Sequence, residues 1–452
     1  MSPETCIRVS EWSSVSVADR LSAEQRDGIE EAASIWRTTN ALSASPLSFS
    51  GAGGDMLAAR QYVGVVEAAG ASIEIYPKLD RKLLGEADAG PAEVVDSVMR
   101  NLLWMLEASE YTDLSETDTA HLEEQPISFY DVFAYLMAKN LRDELAVGVP
   151  HAYQTQHDAT TAVRGRIDIL RQVTTHWNRL DRVACTWDEF TPDIPLNRLF
   201  RCACATLCGR VTNPAAAQLL ADCLTYLDSV PLVDAATALQ DVQHLRWDRF
   251  SERLKTSFDM AIRLLAGSGY DLGSGHSETF VFLIDMNALF EAYVAAALET
   301  AFDTEIKTQR TIGHLFSGPE RVRQIPDYQW HSDSTNWIGD AKYKHLAAGQ
   351  DDALRFDDQA NGDDDADLSS TAATRVLSPN DVRQVTVYAE LLKQKGKLSS
   401  PPELAILYPF VGLGRFEVAT ATAWNGSPFH LVPVRVAGGQ SLATVLPDDR
   451  WA

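Results

Sequence analysis

The stretch QIPDYQWHSDSTNWIGDAKYK, residues 324–344, decides the fold of this 452-residue chain. Two runs of alternating apolar and polar residues, 323–330 and 336–343, flank the polar turn His331-Ser332-Asp333-Ser334, a pattern that predicts a β-hairpin. Pro326-Asp327 sits at the start of one strand, and Asp340, Ala341 and Lys342 lie on the other. Side chains at i and i+2 of a strand share a face, so Asp340 and Lys342 project together and the hairpin folds Asp327 back beside them. Two carboxylates and a lysine on one face would be costly as plain core. Around a divalent cation they are a sensible set, with oxygen ligands for a hard metal such as Mg²⁺ and an ammonium close by.

This spacing is that of the PD-(D/E)xK pattern of restriction-endonuclease-like phosphodiesterases. The pattern is short, and its surroundings give it weight. Upstream, residues 285–301 (DMNALFEAYVAAALETA) predict a helix with Met286, Leu289, Phe290, Tyr293, Val294 and Leu298 on an apolar face, and it carries Glu291. Downstream, residues 380–395 predict a second helix with Asn380 as N-cap and with Gln384 and Tyr388 on one face at i and i+4. Residues 404–410 (LAILYPF) then predict a short buried strand. Helix, three strands, helix, strand is the order this nuclease class requires.

The rest of the composition sets limits. A chain of this length supports two or three domains, and 45% hydrophobic content is ordinary for a soluble protein. No apolar run approaches the ~20 residues of a membrane span, and the start MSPETCIRVSEW lacks a signal-peptide pattern, so the expected setting is the cytoplasm. The six cysteines include no CxxC pair; although Cys204 and Cys208 share a helix face, they read as buried free thiols of a reducing compartment. The net charge of −24 opposes a protein that grips DNA by itself. Lysines are scarce, and the acid-rich segment 351–367 reads as a surface loop, which fits solvation in a salt-loving host. Delegating DNA capture to a partner fits equally well.

The expected fold class is α+β: an N-terminal α/β region and a helical middle region, followed by a restriction-endonuclease-like α/β domain. The corresponding segments are 1–150, 151–274 and 275–452. Within them, residues 62–68 and 72–76 predict a hairpin, 92–111 and 128–145 predict helices, and 153–161, 164–170 and 185–190 predict strands. Helices are expected over 197–212, 215–228 and 248–267. The turn at 51–54 is glycine-rich but has no Gly-Lys-Ser/Thr after it and is read as a loop. Arg164 and Arg166 could meet phosphate, but a structural ion-pair role is the preferred reading.

With these segments in hand the chain resembles the McrC family, the nuclease subunits of McrBC-type modification-dependent restriction systems. The likeness runs through VGVVEAAGASIEIYPKL (63–79), VRGRIDIL (163–170), CTWDEFTPDIPLNRLF (185–200), FLIDMNALFEAYV (282–294), the PD…DAKYK hairpin and RQVTVYAELL (383–392). The departure is the acid-rich insertion between DAKYK and the helix of Gln384. The resemblance implies Asp327, Asp340 and the carbonyl of Ala341 as Mg²⁺ ligands, with Glu291 supporting the metal. It implies Lys342 as the residue that orients or deprotonates the attacking water or stabilises charge at phosphorus, and Gln384 and Tyr388 as residues that shape the site. From the residues alone, Glu291 reads equally as a solvated helix residue, Gln384 and Tyr388 as packing, and His331 and Asp333 as solvent-facing. The resemblance further implies a hexameric AAA+ GTPase of McrB type that brings methylated DNA and is stimulated through residues 1–150, with dimerisation at the level of the complex. Two rival readings are a self-sufficient repair or defence nuclease and a non-cleaving adaptor of an AAA+ enzyme.

Overall fold

The computed structural model describes residues 5–42, 44–51, 53–78, 91–109, 128–245, 247, 251–266, 279–314, 322–332, 335–343, 379–394, 401–410, 416–436, 442–447 and 451. Helices and strands alternate with segregated layers, an α+β architecture. The residues group into two compact units, Ser128–Phe282 and the discontinuous pair Glu4–Ile127 with Leu283–Ala452. The three consecutive segments expected from sequence are thus regrouped here: the two ends of the chain build one unit. The acid-rich segment 351–367 lies outside the described residues.

The discontinuous unit opens with β1 (Thr5–Ser10), β2 (Ser14–Ser16), α1 (Ala23–Thr39), β3 (Leu47–Ser50), β4 (Met56–Ala59), β5 (Tyr62–Ala68) and β6 (Ala71–Tyr76), then α2 (Pro91–Ala108). Helix α1 begins at a capping box in which the Ser22 hydroxyl accepts from the Gln25 amide and the Gln25 side chain accepts from the Ser22 amide. Strands β5 and β6 form the expected hairpin, turning on Ala69 and Gly70 at positive φ, and β1 adds to β6 in parallel.

The unit Ser128–Phe282 holds α3 (Phe129–Val147), β7 (Ala152–Thr160), β8 (Arg166–Ile167), α4 (Ile169–Thr174), β9 (Val183–Thr191), α5 (Pro195–Cys208), α6 (Pro214–Tyr226), α7 (Ala235–Asp241) and α8 (Lys255–Ala266). Its helices close around Asp131, fully buried, whose carboxylate accepts from the amides of Ser128, Thr212 and Asn213 at 2.7–2.9 Å. The strand expected over 164–170 is cut to two residues because Asp168 caps a helix: its Oδ1 accepts from the Arg171 amide at 3.0 Å. Gly165 enters β8 at φ +60, where a Cβ would stand 2.5 Å from the Thr186 carbonyl oxygen. The Arg164 guanidinium lies over the Trp187 ring at 4.9 Å rather than in the expected ion pair. Of the helix expected over 248–267, the described residues give a 3-10 turn at Glu252–Leu254 and α8 from Lys255, while 248–250 and 267 lie outside the described residues. All six cysteines are free thiols; four are buried as expected, but Cys6 is exposed on β1 and Cys208 is exposed as the last residue of α5.

The chain re-enters the discontinuous unit along β10 (Phe280–Asp285), followed by α9 (Met286–Phe302), β11 (Lys307–Thr308), β12 (Gly313–His314), β13 (Arg323–Gln324), β14 (Tyr328–Ser332), β15 (Thr335–Ala341), α10 (Pro379–Gln394), β16 (Glu403–Phe410), β17 (Ala419–Thr422) and β18 (Pro428–Arg435). Six strands form one sheet in the order β11-β14-β15-β16-β18-β17. The hairpin β14–β15 is antiparallel, and β15, β16 and β18 run parallel at the centre. Parallel strands are covered on both faces, which is why β16 reads as a nearly continuous apolar run. On one face Ile338, Leu404, Ile406 and Phe429 pack with Val385, Tyr388 and Ala389 of α10. On the other, Trp330 and Trp337 stack at 5.4 Å and meet Phe302 of α9. The first run of the hairpin is not one strand: Ile325-Pro326-Asp327 interrupts it, since proline brings no N–H to a ladder. Helix α10 starts at Pro379, so Asn380 lies inside its first turn rather than at the cap.

Candidate active site

Asp340 sits one residue before the C-terminal end of β15 and is 1% exposed. Its neighbour Gly339 lets the strand lie close to its surroundings; a Cβ there would meet Trp330 and Tyr328 at 3.1 Å. Asp327 follows the proline break and turns toward the same strand end, where its Oδ2 accepts from the Ala341 amide at 2.8 Å. The amide of Lys342 donates to the Leu407 carbonyl at 2.8 Å, which extends the β15–β16 ladder and fixes the lysine's backbone. The Lys342 Nζ lies 2.5 Å from Asp340 Oδ2 and donates to Gln384 Oε1 at 3.1 Å. Gln384 Nε2 donates to the Tyr388 hydroxyl at 2.6 Å, which in turn donates to the Ile325 carbonyl at 3.2 Å. The face pairing of Gln384 and Tyr388 on α10 therefore serves one chain of contacts running from Lys342 back to the loop of Asp327.

Glu291 stands on α9 and joins the group through Gln309, whose Nε2 lies 3.1 Å from Glu291 Oε2 and 3.2 Å from Asp327 Oδ1. The Tyr328 hydroxyl donates to the Glu291 carbonyl at 2.7 Å and ties α9 to β14. All the residues picked out from sequence thus come together at one strand end, whereas His331 is exposed and Asp333 lies outside the described residues. Two further participants carry no sequence signal. Gln309 stands 18 residues before Asp327 in an irregular stretch. Glu11, 1% exposed, accepts from the Tyr343 hydroxyl at 2.8 Å and from the Lys78 amide at 3.0 Å, and so reaches the residue next to Lys342 from the far end of the sequence.

The electrostatics follow from burial and crowding. Asp327 is pushed up to about 8 by burial first, then by the charges of Asp340 and Glu291. Asp340 is raised by burial, with Lys342 pulling the other way, and Glu291 is raised by burial and by Asp340. Burial works against the Lys342 ammonium, but Asp340 outweighs it and holds the amine above its ordinary range. Such a set carries more negative charge than its surroundings tolerate, which is what a bound cation relieves. The fit to a hard cation rests on one atom. Asp340 Oδ2 is buried, with the Lys342 ammonium 2.5 Å away as its ion-pair partner. With Asp327 turned toward the same strand end, a buried carboxylate oxygen crowded by other carboxylates is the donor chemistry Mg²⁺ takes. Among the described residues no three His, Cys, Asp or Glu side chains stand as a ready metal cluster; a cation here would rely on two aspartates and backbone, with Glu291 held off by Gln309.

Comparison with known proteins agrees in fold. The profile of the family described as McrBC 5-methylcytosine restriction system component matches residues 57–363. No curated protein sequence matches. A chain of the refined half-complex from the tetradecameric assembly of Thermococcus gammatolerans McrB AAA+ hexamers with bound McrC superimposes with a TM-score of 0.66 over 97% of each chain, at 18% identity. A chain of the Thermococcus gammatolerans McrBC complex gives a TM-score of 0.46 at 20% identity, over 67% of this chain and 90% of that one. At such identities the likeness is one of fold. No described helix is long and apolar enough to cross a membrane.

Proposed function

The chain belongs to the family of McrBC 5-methylcytosine restriction system components, and from that premise we propose that it is the DNA-cleaving subunit of a modification-dependent restriction complex. It hydrolyses phosphodiesters with Mg²⁺, in the cytoplasm, and stimulates a hexameric AAA+ GTPase of McrB type that delivers methylated DNA. The observation that carries the reading is the convergence of Asp327, Asp340, Lys342, Gln384 and Tyr388 on one strand end. Asp327, Asp340 and the Ala341 carbonyl would hold the cation, which when bound supplies Lewis-acid stabilisation and an acidified water. Asp327 is fixed for this task by the Ala341 amide. Lys342, held by Gln384, presents an ammonium beside Asp340 and orients the attacking water or balances charge gathering on the phosphoryl oxygens. Gln384 and Tyr388 keep that ammonium from swinging out to solvent.

Docking on the partner has a candidate surface just beyond the segment 1–150 expected from sequence. Ile169, Leu170, Val173, Trp177 and Leu180 are exposed on and after α4, with Tyr153 and Phe190 exposed on the paired strands β7 and β9. A run of uncovered apolar side chains this dense marks a protein interface. The net charge of −24 accords with DNA being captured by the partner. The test is plasmid cleavage, methylated and unmethylated, with and without the AAA+ partner, GTP and Mg²⁺. Cutting is expected only of methylated plasmid and only with all three present. Efficient cutting by the isolated chain would replace this reading with a self-sufficient nuclease.

A further inference from the structure

No sequence pattern marks Gln309, yet it grips the site from two sides. Its side-chain nitrogen reaches both Glu291 and Asp327, and its backbone N–H donates to the Asp327 carbonyl at 3.1 Å. To do both it adopts φ +50, a left-handed conformation that a Cβ disfavours and that glycine or asparagine ordinarily occupies. An amide oxygen at that place would face two carboxylate oxygens, so the carboxylates select the NH₂ group, with one hydrogen for each. Gln309 itself is exposed and lines a groove of about 340 Å³ running along α9 past Ala292, Ala295 and Glu299 to Asp327. A solvent-facing residue gains nothing for the core from this geometry.

Resting on the phosphodiesterase reading, we propose that Gln309 is a positioning residue for the metal-binding carboxylate of Asp327. Asp327 accepts on Oδ1 from Gln309 and on Oδ2 from the Ala341 amide, so the plane of its carboxylate is set from both ends. Each oxygen keeps a lone pair for a cation. The same amide tethers Glu291, which stands outside any ready three-residue cluster, at a fixed distance from Asp327. Hydrogen bonds that orient ligating groups contribute about 10–100-fold to metal affinity.

The experiment is calorimetric titration of Mn²⁺ into the full chain, with thermal unfolding in the absence of metal on the same samples. The variants are Gln309→Gly, which suits the backbone and removes the amide, Gln309→Met, which keeps the length without donors, and Asp340→Ala. Both Gln309 variants should unfold close to the unsubstituted protein and bind Mn²⁺ about 10–100-fold more weakly. Unchanged binding by both, with Asp340→Ala failing to bind, would overturn the positioning role and leave the site reading standing. Weakening in Gln309→Gly alone would also overturn it, because the effect would belong to the backbone. Failure of the unsubstituted chain to bind Mn²⁺ would bring down the phosphodiesterase reading itself, and this proposal with it.

Discussion

The sheet that carries Asp340 and the sheet β7-β9-β8 use the same ladder chemistry and end in opposite states. In the first, α10 covers one face and α9 meets the other, and charged groups are drawn under cover until a carboxylate is 1% exposed. In the second, nine consecutive residue pairs from Ala152↔Thr191 to Thr160↔Val183 are matched. Even so, Leu170 is 76% and Leu180 99% exposed beside them. A hydrogen-bonded ladder therefore holds strands together whether or not a core lies beneath. Burial separates their uses: the first sheet concentrates polar chemistry inward, and the second presents apolar side chains outward.

The contrast breaks most visibly at Asp340. Asp340→Ala should lower cleavage by the partner-loaded complex more than about 100-fold, because it removes a ligand rather than a group that orients one. It should leave the chain folded, since it also relieves the crowding that Asp340 imposes on Asp327 and Glu291. Lys342→Ala should lose cleavage equally while still binding Mn²⁺ in calorimetry. Equal loss of metal binding in both variants would make the lysine structural.

The apolar surface beside the outward sheet is tested by Leu170→Ser, on α4, combined with Leu180→Ser, before β9. Partner-dependent cleavage should fall about 10-fold, equivalent to about 1.4 kcal/mol of docking. Stability in urea should stay within about 0.5 kcal/mol. Unfolding of the double variant would show that these residues serve the fold, and the comparison would lose its second half.

A pH-dependent effect concerns Glu11, the buried carboxylate that accepts from the Tyr343 hydroxyl. Burial raises it to about 7 against an ordinary 4.5. The folded chain then binds this proton more tightly than the unfolded one. Its contribution to stability is fully present below pH 4.5 and is lost as pH rises through about 7. The amount is about 3 kcal/mol at most. Glu11→Gln should flatten that decline in a series of urea melts between pH 5 and 8. An unchanged pH slope would mean that other groups carry it.

Much of the inward sheet was legible in sequence because its signals are local. Period-two alternation marks β15, an apolar run marks β16, and the i, i+4 placement of Gln384 and Tyr388 survives in α10. The proline break before Asp327 was less visible, since alternation ran across it and only the missing ladder donor interrupts the strand. Asp168 hid in the same way, its capping role overriding an extended pattern. Gln309 and Glu11 were not legible at all. A left-handed glutamine and a contact across 332 positions of sequence leave no periodic trace. The outward sheet was drawn as strands, yet nothing in alternation tells a covered apolar face from a bare one.

The hydrogen bond from Tyr343 to Glu11 has a consequence in time. One partner leaves the ribosome among the first residues, and the other only after 332 further positions have been added. Once Phe282 has been added, the unit Ser128–Phe282 has all its residues and can close by itself, while Glu11 still waits for Tyr343. A chain interrupted between β10 and β15 therefore carries the outward surface without Asp340 and Lys342. The group of side chains around Asp340 is among the last features the nascent protein acquires.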